Sequence, residues 1–268
     1  MPELPEVETV RKTLLKLVQG KEIRDIDVFY EKMIHFDIEE FTSLLIGKQI
    51  KHINRYGKYL LFEIGDYILV SHLRMEGKYF IKKLEEDRSK HEHVIFYFND
   101  DTTMRYHDTR KFGTFDLIRK DKFDTFYPIQ KLGPEPFFKE MTKEYLFKKL
   151  RNKTISIKSA LLDQTIIAGL GNIYVNEVLF YTKLHPTTPS NKITKKQCQM
   201  IIDASVKVLQ KAIDLGGTTI RSYTSSLGVT GRFQNDLFVH DRENEPCKIC
   251  NTSIQKEKVG VRGTYYCP

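Results

Sequence analysis

The chain lacks the features that would direct it into a membrane or out of the cell. Its 268 residues include no run of about 18 apolar residues, and its first ten, MPELPEVETV, carry three glutamates and two prolines. These properties argue against a signal peptide and a transmembrane helix. The four cysteines are too few and too clustered for the disulfide scaffold of a secreted protein. The sequence therefore predicts a soluble cytosolic protein.

The chain has fewer acidic than basic residues, 35 Asp and Glu against 43 Lys and Arg, and the excess of positive charge is unevenly distributed. The formal net charge is +8 and the pI is about 9.1, which indicates a polyanionic partner, either a membrane surface or a nucleic acid. Residues 139–215 contain 13 Lys and Arg against 6 Asp and Glu, whereas residues 233–268 contain five of each. No single helical segment pairs its lysines with a broad apolar face, so the pattern favours nucleic acid.

The hydrophobic periodicity changes along the chain. A helix is predicted from about Pro5 to the residues before Gly20, with acidic residues in its first turn. From about residue 22 to 120 the period becomes two, with strands predicted at 59–64, 67–73, 93–98 and 112–118. Strands this closely spaced favour an antiparallel sandwich over a parallel α/β sheet.

A second, helical part follows a linker. The segment KLGPEPF at 131–137 has the prolines and glycine of a domain boundary. Helices are predicted after Thr142, over 156–163, from Asn172, and from Thr194 to a stop at 216–217. The sequence therefore predicts an α+β protein with a β part before a basic helical part.

The N-terminus allows a chemical interpretation as well as a structural one. MPELPE can simply lead into the first helix, but Pro2 would become a free secondary amine if Met1 were removed. An α-amino group titrates near ~8 and a lysine near ~10.4, so a terminal amine is far more nucleophilic at neutral pH. Attack of such an amine on a sugar C1′ gives an iminium ion, and the adjacent Glu3 could supply a proton.

The C-terminus has the cysteine spacing of a zinc site. Cys247 and Cys250 are separated by two residues, and Cys267 follows after sixteen more. A fourth ligand is missing from this pattern. Cys198 lies within a predicted helix, and the spacing of His240 is irregular, so neither is a good substitute.

The string PELPEVET resembles the N-terminus of the formamidopyrimidine-DNA glycosylase family, and the resemblance continues over essentially all 268 residues. Members of this family excise oxidised purines such as 8-oxoguanine and then cleave the DNA backbone by β,δ-elimination. The resemblance implies that Pro2 is the Schiff-base nucleophile and Glu3 the general acid. It also implies a catalytic role for Lys58 in RYGKYLLFE and for Arg262 in VGVRGTYYC, both beside phosphate.

The family also implies a division into three domains. The resemblance places a catalytic β-sandwich flanked by helices at 1–132 and a helix-two-turn-helix DNA-binding domain at 133–232. A β-hairpin zinc finger follows at 233–268. Residues 216–231, rich in Gly, Ser and Thr, resemble a linker by composition but correspond to the family's lesion-recognition loop.

Residues on two β-part segments match the family's base-flipping wedge. An enzyme that acts at C1′ must extrude the nucleotide from the duplex, and apolar side chains can fill the gap. In HLRMEGK and DTRKFG the resemblance assigns this role to Met75, Arg110 and Phe112, although by composition Met75 and Phe112 would be core residues. The positions that match DNA contacts are His72, His91, Arg110, Lys153 and Asn172.

Two features depart from the family pattern at the C-terminus. The family's fourth zinc cysteine lies three positions beyond Cys267, past Pro268, so the sequence is either trimmed or its site is defective. One structural Zn²⁺ is expected for the intact protein. Relatives commonly carry Tyr-Gly where this chain has His240 and Asp241 before Arg242, which leaves a phosphate contact there open.

The sequence therefore predicts a monomeric, bifunctional DNA glycosylase and AP lyase of the bacterial cytosol and nucleoid, acting on duplex DNA with oxidised purines. An endonuclease VIII-like enzyme for oxidised pyrimidines is the alternative within the superfamily. PELPEV, with leucine at position 4, and the segment Arg110-Lys111-Phe112 favour the purine enzyme. From other classes, a non-catalytic protein that binds damaged DNA and a structural zinc-ribbon protein remain alternatives.

Overall fold

The computed structural model describes residues 1–218 and 231–268. The chain forms two compact units, one of Met1–Gln130 with Gly216–Gly231, and one of Lys131–Leu215 with Arg232–Pro268. Among the described residues, no helix is both long and apolar enough to span a bilayer.

Helices occur in both units. Those in the described residues are α1 (Leu4–Val18), α2 (Ile38–Leu45), α3 (Tyr127–Gln130), α4 (Lys143–Leu150), α5 (Ile157–Leu162), α6 (Asn172–Thr182) and α7 (Lys195–Asp214). The strands of the N-terminal unit are β1 (Ile23–Val28), β2 (Ile50–Tyr56), β3 (Tyr59–Ile64), β4 (Tyr67–His72), β5 (Lys78–Lys83), β6 (Glu92–Phe98), β7 (Thr102–His107) and β8 (Thr114–Arg119). The strands of the C-terminal unit are β9 (Gln255–Val259) and β10 (Arg262–Tyr266).

The predicted antiparallel sandwich is confirmed. Two four-stranded sheets, ordered β1-β6-β7-β5 and β2-β3-β4-β8, are antiparallel at every pairing. Their inner faces share one apolar core. Aromatic pairs join the sheets across it, with ring centroids 5.7 Å apart for Phe62 and Tyr79 and 4.8 Å apart for Tyr106 and Phe115.

The first helix lies close to its predicted position. Helix α1 begins at Leu4, one residue before the predicted start, and Pro5 fits in its first turn, where no backbone N–H donor is needed. Val7, Val10 and Leu14 are buried along one face and belong to the sandwich core. The chain then turns at Gly20, which has φ +79°.

The strand prediction was incomplete. Strands β1, β2, β5 and β7 were not recognised individually, because their burial departs from a period of two. In IKHINRY the two buried residues are three positions apart, and in TTMRYH four consecutive residues are buried, Arg105 among them. The strand predicted at 112–118 begins two residues later, at Thr114. The backbone N–H groups of Phe112 and Gly113 donate instead to the Asp108 carboxylate.

Three helices of the C-terminal unit begin at side-chain caps, and the sequence predicts two of these caps, Thr142 and Thr194. Thr142, Ser156 and Thr194 each accept a hydrogen bond from the backbone N–H three residues later, which satisfies a donor that the first turn leaves free. Helix α6 begins at Asn172 and is buried on nearly every side. Strands β9 and β10 form a hairpin after these helices.

A buried carboxylate connects α1 to the second sheet. Glu8 binds Arg11 on the same helix at 2.8 Å and Arg55 on β2 at 3.0 Å, with only 12% of its side chain exposed. Burial alone would raise the pKa of Glu8, but the hydrogen bonds and charges of the two arginines hold it below its ordinary value. The ion pairs therefore favour the folded state most while Glu8 is ionised.

Replacement of Glu8 by Gln is expected to destabilise the protein by about 2 kcal/mol at pH 7, because two buried guanidinium groups lose their charged acceptor. A carboxylate with a lowered pKa stabilises fully above its unfolded value, near ~4.3, and loses this effect as pH falls through the folded value. Urea unfolding at pH 7 and pH 4 should therefore show a smaller difference from the wild type at the lower pH. The exposed Glu85→Gln is the control, with a change below about 0.5 kcal/mol; equal effects of the two substitutions would refute the prediction.

Candidate active site and nucleic-acid interface

The start of α1 holds the predicted nucleophile and acid in a fixed backbone conformation. Pro2 and Glu3 are buried, whereas Met1 is 47% exposed. The Glu3 N–H donates to the Glu6 carboxylate at 2.9 Å. Met1 is therefore accessible, and the hydrogen bond to Glu6 holds the Glu3 backbone at the start of α1.

Glu6 also fixes the start of the predicted lesion-recognition loop. Thr218 donates its backbone N–H at 2.8 Å and its hydroxyl at 3.1 Å to the same carboxylate oxygen. Gly217 is in the left-handed region, and a Cβ there would lie 2.7 Å from that oxygen. The sequence analysis treated Glu6 only as a first-turn acid. Of the predicted loop 216–231, residues 219–230 lie outside the described residues.

Lys58 lies in the turn between β2 and β3 and is only 6% exposed. Arg55 donates to the Gly57 carbonyl at 2.9 Å while it binds Glu8 of α1. This double contact ties the turn to the helix that begins just after Pro2. Lys58 is therefore not the solvated strand-edge lysine that its sequence context alone would favour.

His72 pairs across β3 and β4 with Tyr59, the residue after Lys58, and their rings lie 4.5 Å apart. Burial, with the positive charges of Arg74 and Lys58, lowers the pKa of His72 to about 3. Its Nδ1 accepts the Arg74 N–H at 3.0 Å. The neutral ring therefore carries its proton on Nε2, which can donate one hydrogen bond.

The loop that presents Arg110 and Phe112 is organised by Asp108. This carboxylate is fully buried and accepts from the backbone N–H groups of Arg110 at 2.9 Å, Phe112 at 3.0 Å and Gly113 at 2.9 Å. Lys111, between them, adopts φ +56°. The loop is thus a rigid turn around one anion, which the sequence analysis did not identify.

The two predicted wedge segments lie against each other. The Thr109 hydroxyl donates to Glu76, and Gly77 and Gly113 both pack so closely on the Tyr106 ring that a Cβ on either would clash with it. Phe112 is 52% exposed, an unusual state for a large aromatic residue.

The exposed wedge side chains contact each other. The Arg110 guanidinium lies 4.9 Å from the centroid of the Phe112 ring, and Met75 is half-buried. An aromatic and a cationic side chain therefore project together from the loop. From residue type alone, Phe112 is expected to be a buried core residue.

His91 belongs to the same surface of the N-terminal unit. Its carbonyl accepts the Asp108 N–H at 3.0 Å, and its ring lies 5.6 Å from that of His107. The preceding turn is held by the buried pair Arg105–Glu92 at 3.2 Å. The structure therefore brings His91 beside the loop that carries Arg110.

In the C-terminal unit, the predicted DNA contact Asn172 lies beside the hairpin that carries Arg262. The Asn172 amide donates to the Gly263 carbonyl at 3.1 Å, and the fully buried Lys158 donates to the same carbonyl at 3.0 Å. Arg262, the preceding residue, is exposed and makes no ion pair with a described residue. Lys153 is partly exposed and lies 4.0 Å from Asp163.

The segment that replaces the family's Tyr-Gly has structural contacts of its own. Arg242 donates to the Phe238 and Pro246 carbonyls at 2.7 and 3.0 Å and to Glu245 at 2.7 Å, so its guanidinium is engaged within the unit. His240 bonds Asn176 at 2.8 Å, and burial lowers its pKa to about 4.

Glu177, the neighbour of Asn176 on α6, supports the same segment. Its carboxylate accepts from the N–H groups of Phe238 at 2.8 Å, Val239 at 3.0 Å and His240 at 2.9 Å. The chain entering the finger is thus anchored to α6 through its backbone.

Cys247, Cys250 and Cys267 form a structural zinc site. Their sulfur atoms all lie within 4.8 Å of one another, and the Ile249 N–H points at the Cys247 sulfur at 3.4 Å. This spacing suits one ion bonded to each sulfur at about 2.3 Å. Cys198 takes no part; burial raises its pKa to about 11, which keeps the thiol protonated.

Comparison with known proteins matches three family models in succession. The formamidopyrimidine-DNA glycosylase N-terminal domain matches residues 1–115, and the H2TH domain of the same enzyme matches 132–224. The zinc finger found in FPG and IleRS matches 244–268. The chain belongs to the formamidopyrimidine-DNA glycosylase family. The curated family members from Bacillus licheniformis and Ligilactobacillus salivarius are each 49% identical, with 100% of this chain and 98% of the relative covered.

Solved structures of the family have the same fold. A complex of a Lactococcus lactis FPG mutant with DNA that contains Fapy-dG superposes with a TM-score of 0.95 at 46% identity, covering 100% of this chain and 98% of that one. A MutM complex with DNA containing carbocyclic 8-oxo-G gives 0.93 at 46% identity, with the same coverage. These relatives support the purine enzyme over the alternatives left open by the sequence.

Asp108→Asn tests the organisation of the wedge loop. The amide places an N–H₂ group toward backbone N–H donors, so at least one buried donor loses its acceptor, at a cost of about 2 kcal/mol. Affinity for duplex DNA with an abasic-site analogue should fall about tenfold, since about 1.4 kcal/mol corresponds to a factor of ten. Anisotropy titration measures this. Asp121→Asn, at an exposed pair with Arg119, is the control; unchanged affinity in Asp108→Asn would contradict the assigned role.

Cys250→Ser tests the zinc site. Loss of one thiolate should reduce bound zinc to well below one ion per chain, and the finger should lose the stabilisation that a structural zinc ion provides. Elemental analysis and thermal unfolding measure the two effects. Cys198→Ala is the matched control and should retain its zinc; equal zinc loss in both variants would show that the ion does not depend on this cluster.

Proposed function

We propose that the protein removes oxidised purines, 8-oxoguanine and formamidopyrimidines, from duplex DNA and then cleaves the strand at the abasic site. The observation that carries this proposal is the arrangement of the first three residues. Buried Pro2 and Glu3 lie at the start of α1, behind an exposed Met1, in a chain that matches a glycosylase family over its whole length. The named relatives and their DNA complexes support the substrate class.

The proposed chemistry requires Pro2 as a free amine. While Met1 is attached, the Pro2 nitrogen is an amide without an available lone pair, so removal of Met1 comes first. The Pro2 nitrogen then bonds to C1′, the bond from C1′ to the base breaks, and Glu3 delivers a proton as the sugar ring opens. The resulting iminium ion acidifies the C2′ proton, whose loss expels the 3′ phosphate; δ-elimination then releases the 5′ phosphate.

The elimination steps need cations near the departing phosphates. Lys58 suits this role because its turn is tied to α1, and the neutral His72 can donate Nε2–H to a phosphate oxygen. Arg262 supplies the corresponding charge from the hairpin and serves δ-elimination. Lys153, Asn172 and His91 position the duplex through its phosphates.

Recognition of the lesion needs an extruded nucleotide. Phe112 and Met75 fill the gap in the stack, and Arg110 engages the orphaned partner base. We propose a catalytic domain at 1–132, a helix-two-turn-helix domain with the recognition loop at 133–232, and a finger at 233–268. The bacterial origin of the relatives supports a cytoplasmic, nucleoid-associated monomer.

Borohydride trapping tests the mechanism. The processed protein, reduced during reaction with an 8-oxoguanine duplex, should form a covalent adduct with DNA, because reduction converts the iminium ion into a stable amine. Protein that retains Met1, in which the Pro2 nitrogen is an amide, should give little of this adduct, and mass spectrometry should show that Met1 is absent from the reactive protein. Glu3→Gln should retain DNA binding but lose base excision.

The matched control is Glu39→Gln, an exposed carboxylate on α2, which should trap and excise as the wild type does. An equal adduct from protein that retains Met1, or no adduct from wild-type protein that lacks Met1, would refute the nucleophile. Excision by Glu3→Gln near the wild-type rate would refute the acid.

A further inference from the structure

A group of exposed cations lies where the C-terminus of α4 meets the N-terminus of α7. We define the basic surface as Lys148, Arg151, Lys192, Lys195 and Lys196, all of them exposed. The Asn191 N–H donates to the Lys153 carbonyl at 2.9 Å, and the Lys195 ammonium lies 5.7 Å from the Phe147 ring. These contacts bring the three stretches of chain together, so the cations form one surface.

The cations of the basic surface have no ion-pair partner in the part of the chain that the structure describes. None of its five cations makes an ion pair with a described residue, and Glu144, on the same helix as Lys148, makes none either. Some other lysines of the C-terminal unit are paired. Lys211, near the other end of α7, binds Asp236 at 2.7 Å. The mutual repulsion of the five cations therefore favours the approach of an anion.

Two of the cations occupy an unfavourable place for helix stability. Lys195 and Lys196 are the first two residues of α7, and its first turn contains no acidic residue. A helix N-terminus carries partial positive charge, so cations there oppose the helix dipole whereas anions stabilise it. The stability of α7 does not explain these lysines, but binding of an external anion does.

We propose that the basic surface binds phosphates of duplex DNA that flanks the lesion, outside the contacts made by Lys153 and Asn172. Two observations identify the occupant. Five uncompensated cations match a polyanion in charge, and the surface is continuous with Lys153 through the Asn191 hydrogen bond. The inference rests on the proposed function because the occupant is the same duplex; it extends the contact along that duplex and leaves the chemistry unchanged.

The test uses the triple variant K192Q/K195Q/K196Q, processed and zinc-loaded, with duplexes that carry an uncleavable abasic analogue at the centre. On a duplex of about three helical turns (~30 base pairs), Kd should rise about tenfold near 0.1 M salt, and the slope of log K against log salt should become shallower by about two to three. On a duplex of about one and a half turns (~15 base pairs), Kd should change less than about twofold, because the flanking phosphates are missing.

The matched control is K12Q/K16Q/K51Q, which removes the same charge from exposed lysines of the N-terminal unit that also make no ion pair with described residues. It should leave the difference between the two duplexes unchanged. An unchanged Kd for the triple variant on the long duplex, an equal loss on both lengths, or an equal effect of the control would overturn the proposal.

The proposed function can be judged separately. Single-turnover excision and borohydride trapping on the short 8-oxoguanine duplex should be the same in K192Q/K195Q/K196Q and the wild type. Normal trapping by the triple variant together with an unchanged Kd on the long duplex would refute only the role proposed for the basic surface. Absence of trapping in the wild type would defeat the proposed function itself.

Discussion

The carboxylate of Glu6 is the constraint on which the proposed active site depends. One oxygen accepts the N–H of Glu3, and the other accepts two hydrogen bonds from Thr218, 212 residues later in the chain. The residue that would act as acid and the start of the segment that would cover the base therefore share one buried anion. Displacement of either one removes donors from a charged residue that is only 4% exposed to water.

The same arrangement occurs at two other functional places. Asp108 accepts three N–H groups from the loop that presents Arg110 and Phe112, and Glu177 accepts three from the chain entering the zinc finger. A buried carboxylate with several N–H donors fixes backbone without relying on side-chain packing. This allows large side chains such as Phe112 to remain exposed on a rigid turn, so the entry into a duplex proposed for Phe112 would need no further ordering of the loop.

The departure from the family pattern at His240 and Asp241 has a structural explanation. His240 is buried against Asn176, and Asp241 adopts φ +59°, a conformation that glycine adopts at no steric cost. The Asp241 carboxylate accepts the Tyr265 hydroxyl at 2.8 Å, which links this segment to the hairpin. The substitutions thus form a consistent set of contacts inside the unit, and Arg242 is engaged there as well.

The sequence by itself determined the parts that depend on local chemistry. Thr142 and Thr194 located the helices that follow them, alternation of apolar residues indicated the sandwich, and the cysteine spacing indicated zinc. The proposed site residues came from resemblance to a family and from the chemistry of a terminal amine. Strands β2 and β7 were missed because their buried residues do not follow a period of two, and β7 buries a charged residue, Arg105.

Only the tertiary structure decided which charged side chains have a structural partner and which are available to a ligand. Glu6, Asp108 and Lys158 look like ordinary surface residues in the sequence, since their partners are groups whose positions depend on the whole fold. The five cations of the basic surface are distinguished because the fold brings them together while no acidic side chain of the described residues pairs with any of them. Pairing is a property of distance in space, and local sequence does not specify that distance.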